Sequence, residues 1–270
     1  MMYDRLSTLD FLASELRRAR TAAGLSQAQL AEAVAYSESL VAMVETTRRT
    51  PSQDFTRRCD EALNTGGLLS RILDELVSRE FAPEWFRPWI SLEREATALC
   101  AYQPDLMPGL LQTVDYMRAV FLAGGPMPAD EVEQHVAARL DRQQVLHRDN
   151  PPLVIAILDE VALRRPIGGP KVMHEQLNHL ADANDQGLAR VQIVPMAVGM
   201  YPGLNGAFVL ASFGTDGDMV FIDGPIRGQI IENAADVALI KRNWEDLRCE
   251  ALPRKQSIEM IREVAESWNA

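Results

Sequence analysis

The chain has 270 residues, 47% of them hydrophobic, and a net charge of −11. That length exceeds one average domain and that composition is globular, so two domains are the default expectation. No apolar run nears the roughly 20 residues that span a bilayer, Met1-Met2-Tyr3-Asp4-Arg5-Leu6 lacks the regions of a signal peptide, and Cys59, Cys100 and Cys249 stand far apart outside any CxxC spacing. Membrane insertion, a disulfide framework and a structural zinc site are thereby excluded, and a cytoplasmic, nucleoid-associated protein with free, buried thiols is expected.

The acidity is unevenly spread. Residues 1–65 carry eight arginines, no lysine and nine acids, a net −1, which leaves −10 on residues 66–270. Arginine suits phosphate because its planar fork donates two parallel hydrogen bonds. An N-terminal segment rich in arginine beside an acidic remainder is compatible with DNA binding.

In chain order, Leu9 to Ala22 has helical periodicity, with Leu12, Leu16 and Ala19 on one stripe and Arg17, Arg18 and Arg20 on the other faces. Gly24 suits a left-handed cap after it. Ser26 with Gln29 three residues on forms a capping box for a helix reaching Val34. After a break at Ala35-Tyr36, Ser37 caps a second short helix to about Glu45. Leu30, Ala31 and Val34 then face Val41 and Val44, with Ala31 as the small contact that two helices near a right angle require. Beyond the polar loop 46–52, Ser52 opens another helix with Phe55, Cys59, Ala62 and Leu63 inward.

The ordered set Leu16-Arg17-Arg18-Ala19-Arg20, Gly24 to Ala31, Val41, Val44-Glu45 and Arg48-Arg49-Thr50-Pro51-Ser52 resembles the Cro/repressor (XRE-type) helix-turn-helix family. The family usually has glycine where Ala35 stands, and a left-handed alanine there costs roughly 1 kcal/mol. The resemblance implies that Gln27 contacts phosphate and that Ser37, Glu38, Ser39, Met43 and Thr46 occupy base-reading positions. Glu38 would accept from cytosine N4 and Met43 would touch a thymine methyl. Arg48 and Arg49, together with Arg17, would hold phosphates. The competing reading is a protein-binding remnant of the motif, in which Glu38 repels phosphate.

From Gly66 to Arg79 the stripe Leu69, Ile72, Leu73, Leu76 predicts a bridging helix, with a boundary near Glu80 to Pro83. Trp85, Phe86 and Trp89 then anchor a core or an interface. Helices are expected at 109–123 and 129–148, and a buried strand at Leu153 to Leu158. Gly168-Gly169-Pro170 breaks the chain and starts a helix to about Asn184. Strands follow at about 190–195, 206–213 and 218–223, with a fifth at 227–232. Two amphipathic helices close the chain, carrying Val237, Ile240, Trp244 and Leu247, then Ile258, Ile261, Val264 and Trp268. The expected architecture is α+β overall: an all-α helix-turn-helix bundle (1–65), a bridging helix and linker (66–80) and a larger α+β domain with a mixed or antiparallel sheet (81–270).

Three chemical motifs fail on inspection. His174 and His179 are five residues apart, so on a helix they diverge by about 140° and cannot share a metal. Gly168-Gly169-Pro170 lacks the lysine of a phosphate loop. Asp159-Glu160 at a strand end is the best catalytic-looking pair, but helix capping is the commoner use of such an acid. No catalytic residue, metal or cofactor is expected.

The segments Trp85 to Trp89, Leu92 to Ala96, Pro108 to Thr113 with Tyr116, Leu158-Asp159-Glu160, Leu163 to Pro170 and Pro202 to Gly206 resemble the C-terminal domain of the actinobacterial WhiJ-like regulators. That resemblance implies a transcriptional regulator and a small companion protein encoded nearby. The expected partners are double-stranded DNA, a second copy of the chain in a homodimer held largely by the C-terminal domain, and that companion, with no membrane. The alternative is an antitoxin-like protein acting chiefly through the companion, and a third class is an enzyme carrying a DNA-binding domain.

Overall fold

The structure, a computed structural model, describes residues 8–73, 85–214, 217–224 and 226–269. The chain divides into two units, residues 1–83 with 133–141, and residues 84–132 with 142–270.

In the N-terminal unit the expected periodicities become α1 (Thr8–Ala22), α2 (Gln27–Ala33), α3 (Glu38–Glu45), α4 (Gln53–Leu63) and α5 (Leu68–Ile72). Leu12, Leu16, Leu30, Val41, Val44 and Phe55 are all buried in one cluster. Each contributes about 1.5–3 kcal/mol by leaving water. The expected bridge at 66–79 is not a free-standing element where it is described. Leu69, Ile72 and Leu73 belong to this same core, and residues 74–80 lie outside the described residues. Asp60 explains the fold-back: its carboxylate accepts from the amides of Leu69 and Ser70, both at 2.9 Å, and from the Ser70 hydroxyl at 2.7 Å. An acid from α4 thus satisfies amides that the N-terminus of α5 leaves open.

The C-terminal unit is built on a six-stranded mixed sheet in the order β3-β2-β1-β4-β5-β6. The strands are β1 (Ala98–Gln103), β2 (Leu153–Asp159), β3 (Arg190–Val194), β4 (Phe208–Ser212), β5 (Asp218–Ile222) and β6 (Gln229–Ile231). β1, β2 and β3 run parallel, while β4 to β6 are antiparallel. The α+β class is therefore confirmed. β1, a central strand, was missing from the sequence expectation. Its six residues contain two alanines and no β-branched side chain, so local propensity is weak and its place is fixed by pairing with β2 and β4. Two further differences are local. Residues 109–111 form a 3-10 turn, Thr113 caps a helix at Val114–Ala123, and the next helix ends at Gln143 before a second 3-10 turn.

Both faces of the sheet are covered. Helices Pro170–Asp185 and Arg254–Ser267 contribute Leu177, Leu180, Ile261 and Val264 to one core, and helix Ala234–Glu250 contributes Val237, Trp244 and Leu247 to the other. Trp89 stacks on Phe221 with ring centroids 5.0 Å apart, and Trp85 stacks on the same ring at 6.3 Å. The Trp268 indole donates to the carbonyl of Leu163 at 3.1 Å. Trp89 is thus a core residue of this unit, and Trp85, Phe86 and Trp268 pack partly buried against the same core. Of the three free cysteines, Cys59 is buried, with its thiol pushed up to about 12 by desolvation, but Cys100 is half-buried and Cys249 exposed. The expectation of three buried thiols therefore holds for Cys59 alone. Among the described residues no helix is long and apolar enough to cross a membrane.

Candidate nucleic-acid interface

The capping chemistry sets α2 and α3. The Ser26 hydroxyl accepts from the Gln29 amide at 3.1 Å, and the Gln29 side chain accepts from the Ser26 amide at 2.8 Å. Ser37 accepts from the Leu40 amide at 3.2 Å. Between the helices Ala35 sits at φ 58, the left-handed geometry in which the missing glycine would be unstrained. Leu30, Ala31 and Val34 close against Val41 and Val44, all buried.

With one face of α3 sealed, the other is fixed. Ser37, Glu38, Ser39 and Thr46 are exposed and Met43 is half-buried. Two hydroxyls on this face are already used: Ser37 as the cap, and Thr46, which donates to the carbonyl of Ala42 at 2.7 Å. Glu38 and Ser39 have no side-chain partner among the described residues. After α3, Thr47 adopts φ 57 and the chain turns into the loop that carries Arg48 and Arg49. Both are exposed, and neither guanidinium pairs with a described carboxylate.

A buried acid that sequence reasoning left without a role organises the rest. Glu45, the last residue of α3, is 2% exposed. It accepts from Arg20 at 2.6 and 3.0 Å and from the Gln27 amide at 2.7 Å, while Arg17 donates to its backbone carbonyl. Burial opposes ionisation of this carboxyl. The hydrogen bonds from Arg20 and Gln27 and the charges of Arg20 and Arg17 outweigh it, and hold the group below the usual glutamate range. Gln27 and Arg17, both expected to contact phosphate, are therefore tied to the end of α3. Arg17 stays accessible, with 55% of its side chain exposed.

Arg20 corrects the reading of α1. It was placed on an outer face, but its side chain is 14% exposed and points inward. The signal was present: Arg20 follows Leu12 and Leu16 at intervals of four, on the inward stripe. Only an acid across the core makes an inward arginine tolerable, and that acid is 25 residues away.

The rejected motifs keep structural places. Asp159 caps the helix Glu160–Arg164 by accepting from the Val161 amide at 2.8 Å. His174 lies 2.9 Å from the carbonyl of Ala265. Among the described residues no group of three or more metal-ligating side chains comes together.

Comparison with known families finds two matches. Residues 12–71 match the family described as helix-turn-helix domain. Residues 86–263 match the family described as domain of unknown function (DUF5753). No curated protein and no solved structure matches the chain.

Proposed function

We propose, from the premise that this chain belongs to the DUF5753 family and carries a helix-turn-helix domain, that it is a sequence-specific regulator of transcription bound to double-stranded DNA. In this reading it is an XRE-type, repressor-like protein of the actinobacterial WhiJ-like group. It works in the cytoplasm on the nucleoid, and not as an enzyme. Its C-terminal unit senses a small ligand or the companion protein. One observation carries the reading. An α3 locked on its inner face presents Glu38 and Ser39 unpaired on its outer face, followed at once by two exposed arginines without described partners. A protein-binding remnant has no need of paired phosphate donors beside an unpaired polar stripe.

Glu38 is the specificity test. Without an arginine on α3 to read guanine, its carboxylate is the strongest acceptor available for a cytosine amino group. Selection of bound sequences from random DNA is expected to return a motif for the native chain and a motif altered at one position for Glu38→Ala. The expected change in discrimination is roughly 1–3 kcal/mol at that base pair. The same motif from both proteins would sink the assignment.

The homodimer follows from the DNA side, because one motif reads one half-site and paired half-sites require two-fold symmetry. Light scattering of the intact chain is expected to give twice the 30.1 kDa chain mass. A strictly monomeric chain that still protects a palindromic site would remove the dimer from this reading.

A further inference from the structure

In sheets with parallel strands, ligands settle in the crevice beyond the carboxyl ends of the strands, where successive connections leave in opposite directions. In the C-terminal unit the carboxyl ends of β1, β2 and β3 share one edge, and the strand order reverses between β1 and β4. The chain steps from β1 to β2 to β3 in one direction, then returns to β4 on the far side of β1. Asp159 pairs with Val194, and Tyr102 pairs with both Ile157 and Phe208. The end of β3 and the start of β4 are therefore at the same edge, so residues 195–207 pass across the ends of β2 and β1. At the middle of this segment Tyr201 turns inward. Its hydroxyl donates to the Asp159 carboxylate and lies 2.7 Å from the Tyr102 hydroxyl. All three groups are buried, at 5%, 6% and 0% exposure for Tyr201, Asp159 and Tyr102.

Gly199 at φ 77 and Gly206 at φ 126 bracket Tyr201, and both geometries favour glycine, as a hinge requires. The backbone hydrogen bonds within the segment are its own: Val198 to Pro195, Gly199 to Met196, Leu204 to Tyr201 and Gly206 to Gly203. Between residues 197 and 207, among the described residues, the Tyr201 hydroxyl makes the only hydrogen bonds that leave the segment. Gly203 lies flush on the two rings, since a Cβ there would come within 2.4 Å of both Tyr102 and Tyr201. Apart from Tyr201 and Gly203 little is buried, and Met200 and Leu204 stand 82% and 53% exposed. Opening would uncover the Tyr201 ring, the buried groups beneath it and the part of helix Ala234–Glu250 that residues 202–205 pack against, while leaving the strands paired.

We propose that residues 199–206 are a hinged lid, latched by Tyr201, over a small-molecule crevice whose receiving groups are Asp159 and Tyr102. The ligand is a phenol-bearing small molecule that takes the place of the Tyr201 side chain. The place beneath the segment already holds a phenol, with Asp159 as acceptor and Tyr102 as second hydroxyl. This rests on the reading of the C-terminal unit as a sensor.

The test is hydrogen exchange on the full chain, with p-cresol as the probe and no DNA present, so its failure leaves the DNA-binding reading standing. In the native protein the amides of 199–206 are expected to exchange at least about a hundredfold faster than those of β1 and β2. Tyr201→Phe, which keeps the ring and removes the latch, is expected to speed them at least about tenfold more while β1 and β2 stay protected. Millimolar p-cresol is expected to accelerate the same amides in the native chain and not in Asp159→Asn, which retains a capping oxygen. Exchange of 199–206 that tracks β1 and β2 in both native and Tyr201→Phe proteins overturns the lid. Acceleration that p-cresol fails to produce, or produces equally in Asp159→Asn, overturns the crevice.

Discussion

Glu45→Ala is expected to destabilise the N-terminal unit by roughly 3–5 kcal/mol, the usual effect of removing one partner from a buried ion pair. The loss comes from Arg20, left 14% exposed without its carboxylate, more than from the missing attraction itself. Gln27 and Arg17 lose their anchor at the same time, so specific DNA binding is expected to fall further than stability alone dictates. Hydrogen exchange at the amides of α1 to α4 measures the first effect without requiring the two units to unfold together. A pH dependence follows from the same contacts. The Glu45 carboxyl is held below its unfolded value, so its contribution is complete above the ordinary glutamate range and is lost as pH falls through the folded value. Glu45→Gln is therefore expected to flatten the acid side of the stability profile of this unit. A destabilisation under about 1 kcal/mol would contradict the buried-pair account and leave a solvent-screened contact of the surface kind.

Replacing Arg48 and Arg49 together with alanine is expected to weaken binding to the preferred sequence and to random DNA by a similar factor. Two phosphate contacts account for about 1.8 of the slope of log affinity against log salt concentration, at about 0.9 per contact. Both side chains are exposed, so the fold is expected to be unchanged. Titrations at four or five salt concentrations check this. An unaltered slope would place the phosphate contacts elsewhere, and a change confined to the preferred sequence would make these residues base readers.

The N-terminal motif was legible because its signals are local. Ser26 with Gln29, Ser37 and Ser52 lie within three residues of the amides they cap, and the apolar spacing of Leu30, Ala31, Val34, Val41 and Val44 is read within two turns of helix. Exposure of Glu38 and Ser39 follows from the same spacing. The direction of Arg20 was misread because an arginine on an apolar stripe looks like an outer-face residue until its acid is found. Glu45 was visible as a residue but not as a hub, since its three partners, Arg17, Arg20 and Gln27, come from two other helices.

In the C-terminal unit the longer helices and five of the strands could be placed from periodicity and breaks, and the class of fold with them, but the helix Arg87–Glu95 was not foreseen. β1 could not, because Ala98 to Gln103 is made a strand by neighbours that arrive 55 and 106 residues later, Leu153 opposite Ala98 and Phe208 opposite Tyr102. The same distance hid the latch. Tyr102 and Tyr201 are 99 residues apart, and Tyr201 and Asp159 are 42 apart; nothing in the vicinity of any one of them marks the other two. The sequence by itself thus determined the capped helix starts and the exposed face of α3, because capping and amphipathic periodicity act over a few residues. Tertiary structure alone decided the centre of the sheet, the Glu45 pairings and the burial of Asp159 beneath Tyr201, because buried polar groups are defined by the partners that satisfy them.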